Sequence, residues 1–291
     1  MATLMQWISG ARPRTLPAAL APVAAGTGAA AALGDAHPFR AGLALVVALA
    51  LQIGVNYAND YSDGIRGTDD NRIGPFRLTG SKAAQPRAVL TAALAAFTVA
   101  ILAGIWLILL CRFWWLLAIG GLCIPAAWFY TGGRHPYGYS GLGEVFVFLF
   151  FGLVAVLGTT YTQAGQLSFT AIAAAFGIGA LACAILVANN LRDIPSDKAN
   201  GKHTLAVRLG DVRTRRLYAG LLGVALAAVA LMLPANPWTA LAFLTMPLCI
   251  QPLKTVLSGS AGKALVPVLR DTGRIELAYG LLLGFSLSLP G

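Results

Sequence analysis

The sequence predicts an all-α, polytopic membrane protein: a bundle of about nine transmembrane helices with its polar loops gathered on one face. Three observations lead there. The 291 residues are 57% apolar and only 11% charged, a balance foreign to ordinary soluble domains. Apolar runs of about spanning length recur along the whole chain. If these runs alternate direction, 19 of the 21 Lys and Arg fall on one side and only Arg40 and Arg112 on the other.

The runs cover 15–33, 40–59, 87–110, 113–130, 144–162, 168–190, 216–233, 238–256 and 275–289, the last being the shortest. Trp114, Trp115 and Trp238 stand at the starts of spans, where amphipathic rings anchor at the interface. By the positive-inside rule the crowded side is cytoplasmic, which puts the N-terminus inside the cell membrane and the C-terminus outside. Acidic residues do not obey that rule, yet of 11 only Asp35 falls outside. The polar chemistry therefore faces the cytoplasm. The net charge of +10 serves orientation in such a chain, and nucleic acid is not an expected partner. Arg12 and Arg14 follow a short apolar stretch with no cleavage-site order after it, so no cleavable signal is expected. The four cysteines are scattered without paired spacing, which supports neither disulfides nor zinc. A single membrane-embedded domain over 1–291 is expected.

Two of the inward-running spans end in acidic motifs of one design. The second span runs into NDYSDGIRGTDD (59–70) and the sixth into NNLRDIPSDKANGKHTLAVRLG (189–210). Each has an Asn followed four residues later by an Asp, Asn59 with Asp63 and Asn189 with Asp193, which on a helix puts both on one face. Asp197 extends the second row by a turn if the helix continues through Pro195. Carboxylates gathered at a membrane end need a cation. All the candidate ligands are oxygen donors, which selects a hard ion, and Mg²⁺ combines a few carboxylates with phosphate oxygens and water. Arg66, Arg72, Arg77, Lys82, Lys198 and Lys202 lie close enough in sequence to clamp phosphate. Ordinary loops built from Asp, Asn and Gly turns are the alternative. A repeat of the same design about 130 residues later argues against it.

These two motifs resemble the signatures of the membrane-embedded UbiA-type aromatic prenyltransferases, and the resemblance covers nearly the whole chain. RPRTLPAALAPV (12–23), GIRGTDDNRIGPFRLTGS (64–81) and YTGGRHPYGYSGLGE (130–144) look most like the branch that prenylates 1,4-dihydroxy-2-naphthoate in menaquinone synthesis. The resemblance implies transfer of a polyprenyl group from polyprenyl diphosphate to that aromatic acid with decarboxylation, with Mg²⁺ as cofactor. It implies metal ligands at Asn59, Asp63 and the adjacent Asp60, and at Asn189, Asp193 and Asp197, with Asp63, Asp193 and Asp197 as the catalytic carboxylates. A further Asp, common in the superfamily four residues after the position of Asp63, is replaced here by Gly67, so Asp69 is the substitute ligand. Lys202 resembles a diphosphate-binding lysine, with Arg14, Arg66, Arg72 and Lys82 as further diphosphate contacts. The 130–144 loop, rich in Gly and aromatics, is the candidate acceptor loop through Tyr130, Arg134, Tyr137, Tyr139 and Glu144. A different acceptor such as 4-hydroxybenzoate would keep the same metal site. A transporter would instead place its acids near the bilayer midplane.

Overall fold

The computed structural model of the protein describes residues 2–67 and 76–291, and all the regular structure among them is helical. The order is α1 (Leu4–Gly10), α2 (Pro17–Ala32), α3 (Pro38–Ile65), α4 (Pro86–Cys111), α5 (Leu116–Phe129), α6 (Gly143–Ala164), α7 (Phe169–Ala199), α8 (Leu205–Met232), α9 (Pro237–Leu257) and α10 (Val266–Ser288). Local chemistry sets their limits. Proline stands in the first turn of α2, α3, α4, α9 and α10, where its missing N–H costs nothing. Ser168 and Thr204 accept backbone N–H bonds as caps of α7 and α8.

Six described helices are long and apolar enough to cross a membrane, and α1 with its following turn and α2, bent by 49°, make a seventh if counted as one span. Two of the nine expected spans fall outside that count for physical reasons. The helix α5 is apolar but only 14 residues long, about 21 Å at helical rise, short of the roughly 30 Å hydrocarbon core. The helix α10 begins at Val266, well before the expected 275, and so carries Arg270, Asp271 and Arg274 at its start. Likewise α8 begins at 205 and breaks at Gly210, whose φ of 75° only glycine adopts easily.

Helices are held together by small residues rather than by bulky ridges. A Cβ added at Gly28 would lie 2.1 Å from the Gly284 carbonyl oxygen, so α2 and α10 touch backbone to backbone. Gly152 and Gly179 bring α6 against α7 in the same way, within a π-helical stretch at Phe148–Leu157. The Ala-rich α7 is the axis of the bundle: 78% of its apolar window is buried inside the protein. At the opposite end from the acidic motifs, Arg40 donates to the carbonyls of Leu110, Thr162 and Gln163. Those are orphan acceptors at the ends of α4 and α6, which gives this isolated arginine a structural task.

Candidate functional site

Both acidic motifs lie on helix, because α3 runs to Ile65 and α7 runs through Pro195 to Ala199. On α3 the residues Gln52, Asn56, Asn59 and Asp63 form one stripe, and on α7 Asn189, Asp193 and Asp197 form another. The two stripes line the same cavity, of about 1290 Å³. Its polar end also holds Arg77, Arg192 and Lys202. Away from these the walls turn apolar, with Val47, Leu51, Leu107, Ile119, Phe150 and Val154.

Asp63 is 3% exposed and held from three directions. Arg77 Nη2 donates to Oδ2 at 3.3 Å, Lys202 Nζ lies 3.5 Å from Oδ1, and the Tyr139 hydroxyl donates to Oδ1. Lys202 also stands 4.3 Å from the Tyr139 ring centre, a cation–π contact. Asn59 accepts from the Thr131 hydroxyl at 2.6 Å. Asp193, 5% exposed, is gripped by its own neighbour: Arg192 donates through Nε at 2.7 Å and Nη2 at 2.6 Å, and Nη2 also reaches Asn189 Oδ1 at 2.8 Å. Such forked pairs satisfy buried carboxylates. Asp197 is half-buried on the wall, and its backbone oxygen accepts from the Lys202 N–H. Among the described residues no three His, Cys, Asp or Glu group closely enough to hold a metal by themselves.

Several expected contacts are placed elsewhere. Asp60 is fully buried and faces away from the cavity: its two oxygens accept the backbone N–H of Leu78 at 2.6 Å and of Thr79 at 2.9 Å. It fastens the 76–84 segment to α3. Arg66 is exposed and donates to the carbonyls of Thr131 and Gly133, tying the 130–144 loop down instead of lining the cavity. Lys82 sits exposed in a turn at φ 58°, off the cavity. Arg134 is exposed and also off it. Glu144 lies behind the wall, where Oε1 accepts from Asn190 Nδ2 at 3.0 Å. Asp69 and Arg72 lie outside the described residues. Arg14, Tyr130, Tyr137 and Tyr139 do line the cavity. Burial pushes the Tyr137 phenol pKa up, and its hydroxyl stays a donor to the Ala126 carbonyl at 2.7 Å.

Arg192 and Thr131 are site residues that sequence reasoning passed over. The signal for Arg192 was present, since it sits inside the second motif between Asn189 and Asp193. For Thr131 only the three-dimensional return of the 130–144 loop reveals the contact.

The profile of the UbiA prenyltransferase family matches residues 19–259. A 1,4-dihydroxy-2-naphthoate octaprenyltransferase of Mycobacterium tuberculosis is 57% identical over 99% of this chain and 98% of its own length. The enzyme of that name from Escherichia coli is 40% identical over 97% of this chain and 95% of its own. Among solved structures, a UbiA homolog from Aeropyrum pernix superposes with a TM-score of 0.72 at 13% identity, covering 91% of this chain and 96% of that one. A homolog from Archaeoglobus fulgidus bound to GPP and Mg²⁺ gives 0.66 at 16% identity, covering 96% and 99%.

Proposed function

The chain belongs to the UbiA prenyltransferase family, and on that footing we propose that it transfers a polyprenyl group from polyprenyl diphosphate to 1,4-dihydroxy-2-naphthoate with decarboxylation. The observation that carries this reading is the convergence of Asp63 with Asp193 and Asp197, from two helix ends, on a cavity that turns apolar beyond them. A diphosphate with a hydrocarbon tail is the molecule with that polarity. The naphthoate acceptor follows from the near-full-length relatives.

Asn59, Asp63, Asn189, Asp193 and Asp197 are hard oxygen donors without His or Cys, so the donor set fits Mg²⁺, whose remaining ligands are phosphate oxygens and water. Mg²⁺ held there would neutralise charge on the diphosphate, as the GPP- and Mg²⁺-bound homolog supports. Lys202, Arg77 and Arg192 bind the diphosphate oxygens, with Arg14 along the same wall, and stabilise the charge that grows there. As the allylic C–O bond breaks, its electron pair goes to the diphosphate oxygen. The ring carbon bonds to the allylic carbon, and the carboxylate leaves as CO₂, returning its bonding pair to the ring. Tyr130 and Tyr137 line the cavity and can stabilise the cationic carbon through their rings, and the apolar walls limit water around it. In the membrane we place nine spans within one domain, 1–291, by adding α5 and α10, with the N-terminus and the site cytoplasmic and the C-terminus outside.

The test is product analysis with purified protein, Mg²⁺, a polyprenyl diphosphate and either 1,4-dihydroxy-2-naphthoate or 4-hydroxybenzoate. Prenylated naphthalene-1,4-diol with equimolar diphosphate and CO₂ is expected. Product from 4-hydroxybenzoate alone would overturn the acceptor assignment.

A further inference from the structure

Tyr139 belongs to the loop expected to bind the acceptor, yet its contacts run to the diphosphate side of the cavity. Its backbone carbonyl accepts the His203 N–H at 2.9 Å, its hydroxyl donates to Asp63 Oδ1, and its ring centre lies 4.3 Å from Lys202 Nζ. Lys202 is thereby fixed along its length. Its own N–H is bound to the Asp197 carbonyl at 2.8 Å, and the N–H of the next residue is bound to Tyr139. Its ammonium meets both the Tyr139 ring and Asp63 Oδ1, the latter at 3.5 Å, in a residue only 9% exposed. A second cation, the Arg66 guanidinium, stands 5.6 Å from the same ring centre, but it is committed to the Thr131 and Gly133 carbonyls. Of these two cations Lys202 is the one that lines the cavity.

The two anchors of the ammonium respond differently to a ligand. A carboxylate that takes a metal ion shares its charge with it, and the ion then repels a neighbouring ammonium. The pull of Asp63 on Lys202 therefore weakens when the site fills. An aromatic ring keeps its negative face whatever the carboxylate binds. Without that ring the lysine stem would regain rotamer freedom at the moment its charge is needed, and ligand binding would have to remove it again. The ring is the contact that persists from the empty site to the filled one.

We infer that the Tyr139 ring is a positioning platform for the diphosphate site, keeping Lys202 aimed at the diphosphate oxygens once Mg²⁺ engages Asp63. The inference rests on the functional reading above and moves Tyr139 from acceptor binding to the diphosphate side. It also gives the 130–144 loop a task in donor binding, since the platform is delivered by that loop. Tyr139 is a positioning residue here: it forms no bond and moves no proton in the reaction.

The experiment changes the charge distribution of the ring at nearly constant shape. Phenylalanine and its mono-, di- and trifluorinated forms replace Tyr139 in the full chain, held in lipid nanodiscs. Calorimetry then reads Mg²⁺-dependent affinity for a non-cleavable polyprenyl diphosphate analogue. Tyr139→Phe keeps the negative face and should bind within about twofold of wild type. Each added fluorine draws electron density from that face, so affinity should fall stepwise, by about three- to tenfold over the series. In a Lys202→Met background the platform has no ammonium to hold, and the series should become flat. A ring needed merely for packing would not show that dependence on Lys202. A flat series with Lys202 in place, or an equal slope without it, would overturn the inference alone. Absence of Mg²⁺-dependent binding of the analogue to the wild-type protein would overturn the functional reading and this inference with it.

Discussion

The two acidic helix ends share a pattern in sequence but differ in what neutralises them. At the end of α7 a partner among the described residues is local: Arg192 forks onto Asp193 and reaches Asn189 within the same turn. At the end of α3 the partners among the described residues come from elsewhere in the chain. Thr131 and Tyr139 arrive from the 130–144 loop, Arg77 from the segment after α3, and Lys202 from the turn after α7. Among the described residues the α7 end meets Asp193 with an arginine of its own turn, whereas the α3 end is a junction on which three loops close. One arrangement supplies charge, and the other in addition assembles the cover over the polar end of the cavity.

The largest effect should come where the two ends act alike. Asp63→Asn and Asp193→Asn each keep side-chain size and remove one charge facing the diphosphate, so each should lower kcat by about 10²- to 10³-fold or more, as for loss of one preorganised electrostatic contact. Steady-state kinetics on folded variants check this. Near-normal turnover in either would remove that end from the chemistry.

The next effect should separate the ends. Asp60 belongs to the junction and serves the fold, so Asp60→Ala leaves the Leu78 and Thr79 amides unpaired and should cost about 2–4 kcal/mol of stability. Thermal unfolding in detergent should show the loss, while the fraction that remains folded keeps its KM for the acceptor. A kcat collapse without a fall in Tm would instead make Asp60 a ligand.

A smaller effect is expected in the apolar half. An added Cβ at Gly120, on the cavity wall, would meet nothing within 4 Å, so packing does not demand glycine there. Gly120→Leu should fold and narrow the chamber. Its kcat/KM for long prenyl donors should drop about 10-fold relative to a short one, comparable to the loss of favourable apolar burial. The smallest effect should be at Arg134, which is exposed and off the cavity: Arg134→Ala should change either KM by less than about twofold.

The same contrast explains what the sequence could reveal. The helical, membrane-spanning character was legible because hydrophobic length is a local property, with six described helices, or seven with the bent pair, long and apolar enough to cross; polar turns such as Leu205–Leu209 and Val266–Arg274 extend the helices beyond the expected apolar runs. The α7 row, Asn189, Asp193 and Asp197, was legible from its four-residue spacing, and Pro195 did not end the helix. The α3 end was only half legible. Asp60 and Asp63 look equivalent in sequence, three residues apart, yet one accepts two amides and the other faces the cavity. Arg66, Lys82 and Arg134 share the charge of Lys202 but not its position. Which cation reaches a carboxylate depends on how distant loops return, and no local spacing encodes that.

The central claim is that both ends act on one diphosphate, and a double-mutant comparison tests it most directly. Mg²⁺-dependent affinity for a non-cleavable polyprenyl diphosphate analogue would be measured by calorimetry for Asp63→Asn, Asp193→Asn and the combined variant. Residues acting as a unit lose most of their effect together, so the double variant should bind little more weakly than the worse single one. Losses that simply add in free energy would contradict the account and assign the two helix ends to separate ligands.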